Sequence, residues 1–263
     1  MAETLQRGEV VFVGAGPGDP DMITVKGLKA LREADIVVYA GSLVNPELLG
    51  ETGPHCRVHD SAPLDLEKVL AILVEGARAE KKVVRLHTGD PSVYGAIQEQ
   101  LEALEKVGIP CRVIPGVTAA FAAAASLRQE LTLPQVSQTV ILTRQEGRTP
   151  VPEAEKLHRI ATIGGTICLY LSVAMMKEAV DELLAGGVFT PDTPAAVVSK
   201  ASWEDEEVVE GTLGDIAEKV EASGIRRQAL IIVGEALAAR SRGVQEKSKL
   251  YDRNFAHGFR DKG

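Results

Sequence analysis

Three short glycine-bearing stretches hold the residues best suited to gripping a ligand: "VGAGPGDPD" (13–21), "HTGDP" (87–91) and "PGVTA" (115–119). Each follows an apolar, strand-like run, and ligands of open α/β sheets bind at the carboxyl ends of the strands. Glycine there lets the backbone come close to whatever is bound. The first stretch begins like a dinucleotide-binding turn, with Gly14 and Gly16 in place, but its third glycine position is Asp19. Pro17 and Pro20 delay the next helix to about Thr24, and the second strand ends in Ala40-Gly41, where a ribose-binding carboxylate would stand. A nicotinamide dinucleotide is therefore a poor fit. Asp90 reads either as an acceptor for a ligand or as the cap of a helix starting near Val93, and Thr118 reads either as a ligand contact or as an N-cap. Arg144 and Arg148 stand four apart in a Gly/Pro-containing loop, in the arrangement that pairs with carboxylates. The plain alternative is two solvated arginines partly paired with Glu146 and Glu153. His55, Cys56 and His59 in "HCRVH" are too few for a structural zinc site, and this stretch reads as a surface loop. His87 is either a substrate contact or a hydrogen-bonded structural histidine.

Positioning these residues requires a layered α/β fold. Apolar runs at 9–14, 35–40, 82–87 and 111–116 read as buried strands. Between them lie helical patterns: one capped by Thr24 with Val25, Leu28 and Leu31 on one face, one over 64–80, and one from about Val93 to Val107. A small-residue helix follows at 118–127. Such alternation predicts a mostly parallel sheet covered on both faces. Beyond it, strands at 139–143, 166–172, 194–202, 207–213 and 228–234 alternate less regularly with helices near 174–185 and up to Ser223, which predicts a mixed sheet. The expected division is an N-terminal domain over 8–130, a C-terminal domain over 131–240 and a flexible tail over 241–263, with the boundary near 128–137. A formal charge of −8 and only 4% aromatic residues argue against nucleic-acid binding. No run approaches the ~18 apolar residues of a membrane helix. The three cysteines form no C-x-x-C pair, and a cytoplasmic setting is expected.

Taken in order, "GAGPGDPDMITVKGLKALREADIVVYAGSLV" (14–44), "HTGDPSVYGA" (87–96) and "IPGVTAAFAAAA" (114–125) resemble the tetrapyrrole methylase family, and the likeness extends over roughly residues 8–235. The resemblance implies a homodimer of two-domain α/β/α subunits that uses S-adenosyl-L-methionine, held folded in the interdomain cleft. It further implies that Pro17, Thr88, Gly89, Asp90, Val93, Thr118 and Ala119 line the cofactor site from the first domain. Leu171, which stands where the family usually has methionine, joins Ala201 and Ala229 from the second. Uroporphyrinogen-III methylases usually carry an aspartate where this chain has Ala40, which weighs against that substrate. The stretches 87–100 and 138–157, with the run R-x-E-G-R-T-P, are instead similar to family members of the corrin (cobalamin) pathway. A corrin precursor carries a rim of carboxylates, so Tyr94, Arg144 and Arg148 are the expected substrate contacts, with Lys200 a further one. The sequence names no catalytic base, and no protein-bound metal is expected, since any cobalt would belong to the substrate. Another corrin intermediate, uroporphyrinogen III, or tetrapyrrole binding without catalysis are the alternatives left open.

Overall fold

The computed structural model describes residues 5–239 together with Gly243, Ser248, Phe255, Ala256 and Gly258. Most of the expected tail over 241–263 lies outside the described residues. The chain divides into two compact units: one runs up to Ala122 and includes Ser202–Asp205, and the other holds Ala123–Ala201 and the chain from Glu206 onward.

The first unit is built on five parallel strands: β1 (Val10–Gly14), β2 (Ile36–Tyr39), β3 (Arg57–Asp60), β4 (Val83–His87) and β5 (Cys111–Ile114). Their order is β3-β2-β4-β1-β5. Side chains alternate along each strand, so two cores form. Val11 and Val13 pack with Ala30 and Leu31 of α1 (Val25–Glu33). Val10 and Phe12 face the other way, onto Val69 and Leu73 of α2 (Leu66–Arg78) and Leu104 of α3 (Gln98–Lys106). The Thr24 hydroxyl accepts from the Gly27 amide at 3.1 Å, and the Asp65 carboxylate accepts from the Lys68 amide at 2.9 Å, so both helices start at side-chain caps. At the amino edge of the sheet, Arg112 donates to both oxygens of Glu9 at 2.9 and 2.6 Å. The Glu9 side chain is 4% exposed, and burial pushes its pKa up, but the hydrogen bonds from Arg112 and the Gln6 amide, with the Arg112 charge, together outweigh this and hold it below its ordinary 4.5.

Three local expectations are corrected. Val25 is 71% exposed instead of facing the core, because the buried face of α1 is Gly27, Ala30 and Leu31, and at helical spacing Val25 lies on the opposite side. The helix expected from Val93 starts at Gln98, because Tyr94 (φ 55°) and Ala96 (φ 49°) are left-handed and cannot continue a right-handed helix. "HCRVH" contributes to strand β3 as well as to a loop. This edge strand pairs with β2 alone, and its largely exposed, polar residues carry no alternating apolar signal.

Helix α4 (Ala119–Ser126) contains the division between the units. The second unit has the expected mixed sheet: β6 (Val140–Arg144), β7 (Thr166–Tyr170), β8 (Pro194–Ser199), β9 (Glu207–Thr212) and β10 (Ala229–Val233), ordered β6-β7-β10-β8-β9. Only β6 and β7 run parallel. Ile167, Leu169, Val197 and Ile231 on one face pack with α5 (Leu157–Ala161), α6 (Met176–Ala185) and α7 (Ile216–Ser223). Helix α5 has too few residues for a helical period to register in the sequence. No helix among the described residues is long and apolar enough to cross a membrane.

Candidate functional site

The connection leaving β1 leads toward β2 on one side, while the connection leaving β4 crosses to β5 on the other. Adjacent strands whose connections diverge leave a crevice at their carboxyl ends, the usual ligand position in such sheets. In the first unit this edge is made of backbone. Gly16 donates to the Gly89 carbonyl at 3.3 Å and accepts from the Gly89 amide at 2.7 Å, tying the two loops together. A Cβ on Gly14 would lie 2.6 Å from Gly116 Cα, and one on Gly116 would run into the Gly89 carbonyl. Gly14 and Gly116, at the ends of β1 and β5, therefore meet against the Gly89 carbonyl after β4, where neither can carry a side chain. Gly16 (φ 83°) and Gly89 (φ 59°) also adopt left-handed conformations that suit glycine.

Asp90 fixes this junction: one carboxylate oxygen accepts from the Gly116 amide at 2.9 Å and the other from the Ser92 amide at 2.8 Å. Burial raises its pKa, but these hydrogen bonds prevail and hold the carboxylate below its usual range. Pro17 and Gly89 are buried beside it, while Thr88 and Val93 are half-buried. The Thr88 hydroxyl has no hydrogen-bond partner among the described residues and is available to a ligand. Thr118 is buried, and its carbonyl accepts from the Phe121 and Ala122 amides at 3.1 and 3.3 Å, so it opens α4 with Ala119 as the first helical residue.

Just below the glycine junction lie two buried basic side chains. Arg85 donates to Gln100 Oε1 at 3.2 Å and to the Val38 carbonyl at 3.1 Å, and burial lowers its pKa to about 10. His87 stacks on Phe12 with ring centroids 5.9 Å apart, and its buried Nε2 has no partner. Burial, reinforced by the Arg85 charge, lowers the His87 pKa to about 3, so the ring is neutral at physiological pH.

One edge of the second sheet gathers the rest. Registers Arg144↔Tyr170 and Ala229↔Ser199 bring the ends of β6, β7 and β8 beside the start of β10. Leu171, Ala201, Ala229 and Arg144 thus share an edge. Leu171 is 69% exposed and left-handed (φ 55°), an unfavourable conformation for a branched apolar residue turned to solvent. Lys200 (φ 48°) and Ser202 (φ 70°) flank the buried Ala201 in the same manner. Arg144 holds its own loop, donating to the carbonyls of Thr149 at 3.1 Å and Pro150 at 2.7 Å. Glu146 accepts from the Val151 amide, and Glu153 pairs with Lys156 and Arg159, so neither compensates Arg148. At the exposed tip, Arg148 makes no hydrogen bond or ion pair with another described residue. Tyr94 is 47% exposed.

Two contributors carry no sequence signal of their own role. Asn45 donates to the Gly18 carbonyl at 3.0 Å, and Trp203 donates through its indole to the Pro17 carbonyl at 2.9 Å. Trp203 is the single tryptophan of an aromatic-poor chain, and that rarity was the one available hint. No group of three or more His, Cys, Asp or Glu among the described residues is placed to hold a metal ion.

Comparison with known proteins adds chemistry to this geometry. The family model of the tetrapyrrole (corrin/porphyrin) methylases matches residues 9–217. The chain is 54% identical over 252 residues to the cobalt-precorrin-4 C(11)-methyltransferase of Methanocaldococcus jannaschii, covering 96% of each sequence. It is 49% identical over 251 residues to the precorrin-4 C(11)-methyltransferase of Pseudomonas aeruginosa, covering 95% of this chain and 98% of the relative. Among solved structures, a cobalamin biosynthetic cobalt precorrin-4 methyltransferase is similar with a TM-score of 0.85 and 48% identity, over 88% of this chain and 96% of its own. The uroporphyrin-III C-methyltransferase of Thermus thermophilus complexed with S-adenyl homocysteine is similar with a TM-score of 0.75 and 32% identity, over 88% of this chain and 99% of its own.

Proposed function

This chain belongs to the tetrapyrrole (corrin/porphyrin) methylases, and on that premise we propose that it transfers the methyl group of S-adenosyl-L-methionine to carbon 11 of a precorrin-4 ring, giving precorrin-5, in cobalamin biosynthesis. The observation that carries the position of methylation is the 54% identity, over 96% of both sequences, to an enzyme named for that carbon. The donor assignment draws support from the relative at 32% identity solved with S-adenyl homocysteine. It also fits the glycine junction, whose open backbone edge suits a ligand with a ribose and an amino-acid group.

When bound, S-adenosyl-L-methionine supplies an electrophilic methyl whose bond to sulfur breaks with the electron pair remaining on sulfur. The work left to the protein is alignment and exclusion of water, which is catalysis by proximity. Gly89 and Pro17 offer backbone at close range, and the Thr88 hydroxyl offers one polar contact. Asp90 contributes by holding the Gly116 amide, and with it the shape of the junction. We assign Thr118, Ala119 and Val93, with the apolar Leu171, Ala201 and Ala229, as further donor contacts. Neutral, buried His87 and committed Asp90 are both poorly placed to take a proton, so this reading assigns no general base. For the tetrapyrrole, Arg148 at the tip of the loop organised by Arg144 offers an uncompensated guanidinium to a rim carboxylate, and Tyr94 offers an exposed ring. Cobalt, where the ring carries it, is part of the substrate. We assign the working protein to the cytoplasm as a homodimer. Three free cysteines fit the reducing compartment, and exposed Val25 and Phe121 fit burial in a partner.

The test supplies methyl-labelled donor with purified precorrin-4 and, in parallel, its cobalt complex, and locates the new methyl by mass spectrometry and NMR. A single methyl at carbon 11 is expected. Methylation of uroporphyrinogen III in preference, or of another ring position, overturns the assignment.

A further inference from the structure

We propose that Trp203 is a positioning residue for the methyl donor: its indole N–H and ring set the shape of the Pro17–Asp19 turn. The inference rests on the reading that the donor lies along this turn.

The turn has little to fix it from within. Pro17 has no amide hydrogen, Gly18 is free to adopt many conformations, and the short 3-10 helix Pro20–Met22 that follows is tied back only as far as its cap, Asp19. Its backbone groups are instead taken by remote side chains. The Pro17 carbonyl accepts from Trp203 Nε1 at 2.9 Å, across 186 positions of sequence. The Gly18 carbonyl accepts from Asn45, and the Asp19 amide donates to the Ser202 hydroxyl at 3.0 Å. A Cβ on Gly18 would fall inside the indole ring, so the tryptophan occupies the space that any other residue at 18 would need. An indole suits this task because it is a donor only, with a rigid plane and a large apolar face.

The segment that delivers Trp203 is itself strained. Lys200 and Ser202 are both left-handed without being glycine, a cost of about 1 kcal/mol or more each that local packing must offset. Residues Ser202–Asp205 belong to the first compact unit although the strands on either side, β8 and β9, belong to the second. A connection between two antiparallel neighbours needs neither this strain nor this excursion. Holding the turn gives both a purpose.

The chain has one tryptophan, so its intrinsic fluorescence reports Trp203 alone. In the wild type, titration with S-adenosyl-L-homocysteine is expected to shift that emission. Trp203→Phe keeps a ring and removes the N–H. Calorimetry is expected to show S-adenosyl-L-homocysteine bound about five- to tenfold more weakly, the scale of one lost hydrogen bond. The KM for the methyl donor rises in proportion, while kcat and the KM for the tetrapyrrole stay within about twofold, a split that general loss of structure would not produce. A folded Trp203→Phe variant with wild-type donor affinity overturns the proposal if Gly89→Val still weakens binding, since the donor site then stands without the tryptophan. Donor affinity that ignores Gly89→Val as well overturns the underlying reading and the proposal with it. If Trp203→Phe does not fold, Ser202→Ala removes the hydroxyl that accepts from the Asp19 amide and carries the same expected weakening; unchanged donor affinity in that variant overturns the proposal.

Discussion

At the carboxyl edge of the parallel sheet the left-handed positions nearest the strand ends are glycines: Gly16, Gly41 and Gly89, with φ of 83°, 60° and 59°. At the corresponding edge of the mixed sheet they are Leu171, Lys200 and Gln228, with φ of 55°, 48° and 52°. The same backbone conformation is thus reached by different residue types. In the first unit strand ends press on one another: Gly14 and Gly116 leave no room for a Cβ, and Gly89 holds a left-handed φ of 59°. In the second Leu171 is largely exposed and Lys200 and Gln228 are half-buried, and each side chain is retained at a conformational cost of roughly 1 kcal/mol. Strain kept in this way points to side chains that are wanted where they stand. Tyr94 and Ala96 show the same mark in the first unit, further along the loop after β4 and away from the glycine junction.

The largest effect should come from closing the first edge. Gly116→Ala places a methyl against the Gly89 carbonyl and Gly14 Cα. We expect a loss of about 3 kcal/mol in chemical denaturation. Binding of S-adenosyl-L-homocysteine should weaken about a hundredfold, or about 2.7 kcal/mol, by calorimetry. Wild-type values would dissolve the contrast between the edges. Arg148→Ala removes a charge from the second edge with no packing change, so tetrapyrrole affinity should fall about tenfold with donor affinity unchanged. Equal loss of both would remove the division of roles. His87→Phe sharpens the comparison through pH. The native pKa of about 3 lies below the ordinary imidazole value of 6.5, so the unfolded chain takes up a proton that the native chain refuses as pH falls through 6.5. Wild-type stability therefore drops below that point by up to about 1.4 kcal/mol per pH unit, a slope the variant should lack. Glu9, held below 4.5, adds its own loss only at lower pH, so the fall above pH 4.5 in an acid titration followed by circular dichroism is free of the Glu9 contribution. The smallest effect is a gain: Gln228→Gly should raise stability by about 1 kcal/mol by relieving a left-handed side chain.

Much of this architecture is legible in sequence because it rests on local rules. Apolar runs mark the central strands, and Thr24 and Asp65 mark helix starts through their capping chemistry. What escapes reading arises from tertiary contact. Nothing in the spacing of Gly14, Gly89 and Gly116 announces that they touch. The late start of α3 is hidden because the residues that interrupt it are a tyrosine and an alanine, neither of them a breaker by type. Arginines in a loop suggest ligand binding, yet only the structure separates Arg144, which donates to its own loop, from Arg148, which does not. Trp203 could not be connected to Pro17 from sequence, because its hydrogen bond spans most of the chain.

The two-pronged contact between Glu9 and Arg112 has a consequence for how such a scaffold diversifies. It clasps β1 to β5 at the end of the sheet remote from the glycine junction. Because that anchorage sits at one rim, loops at the other can be exchanged for new specificities without first undoing what keeps the strands in register. A catalyst arranged this way can change its clientele while its foundations stay put.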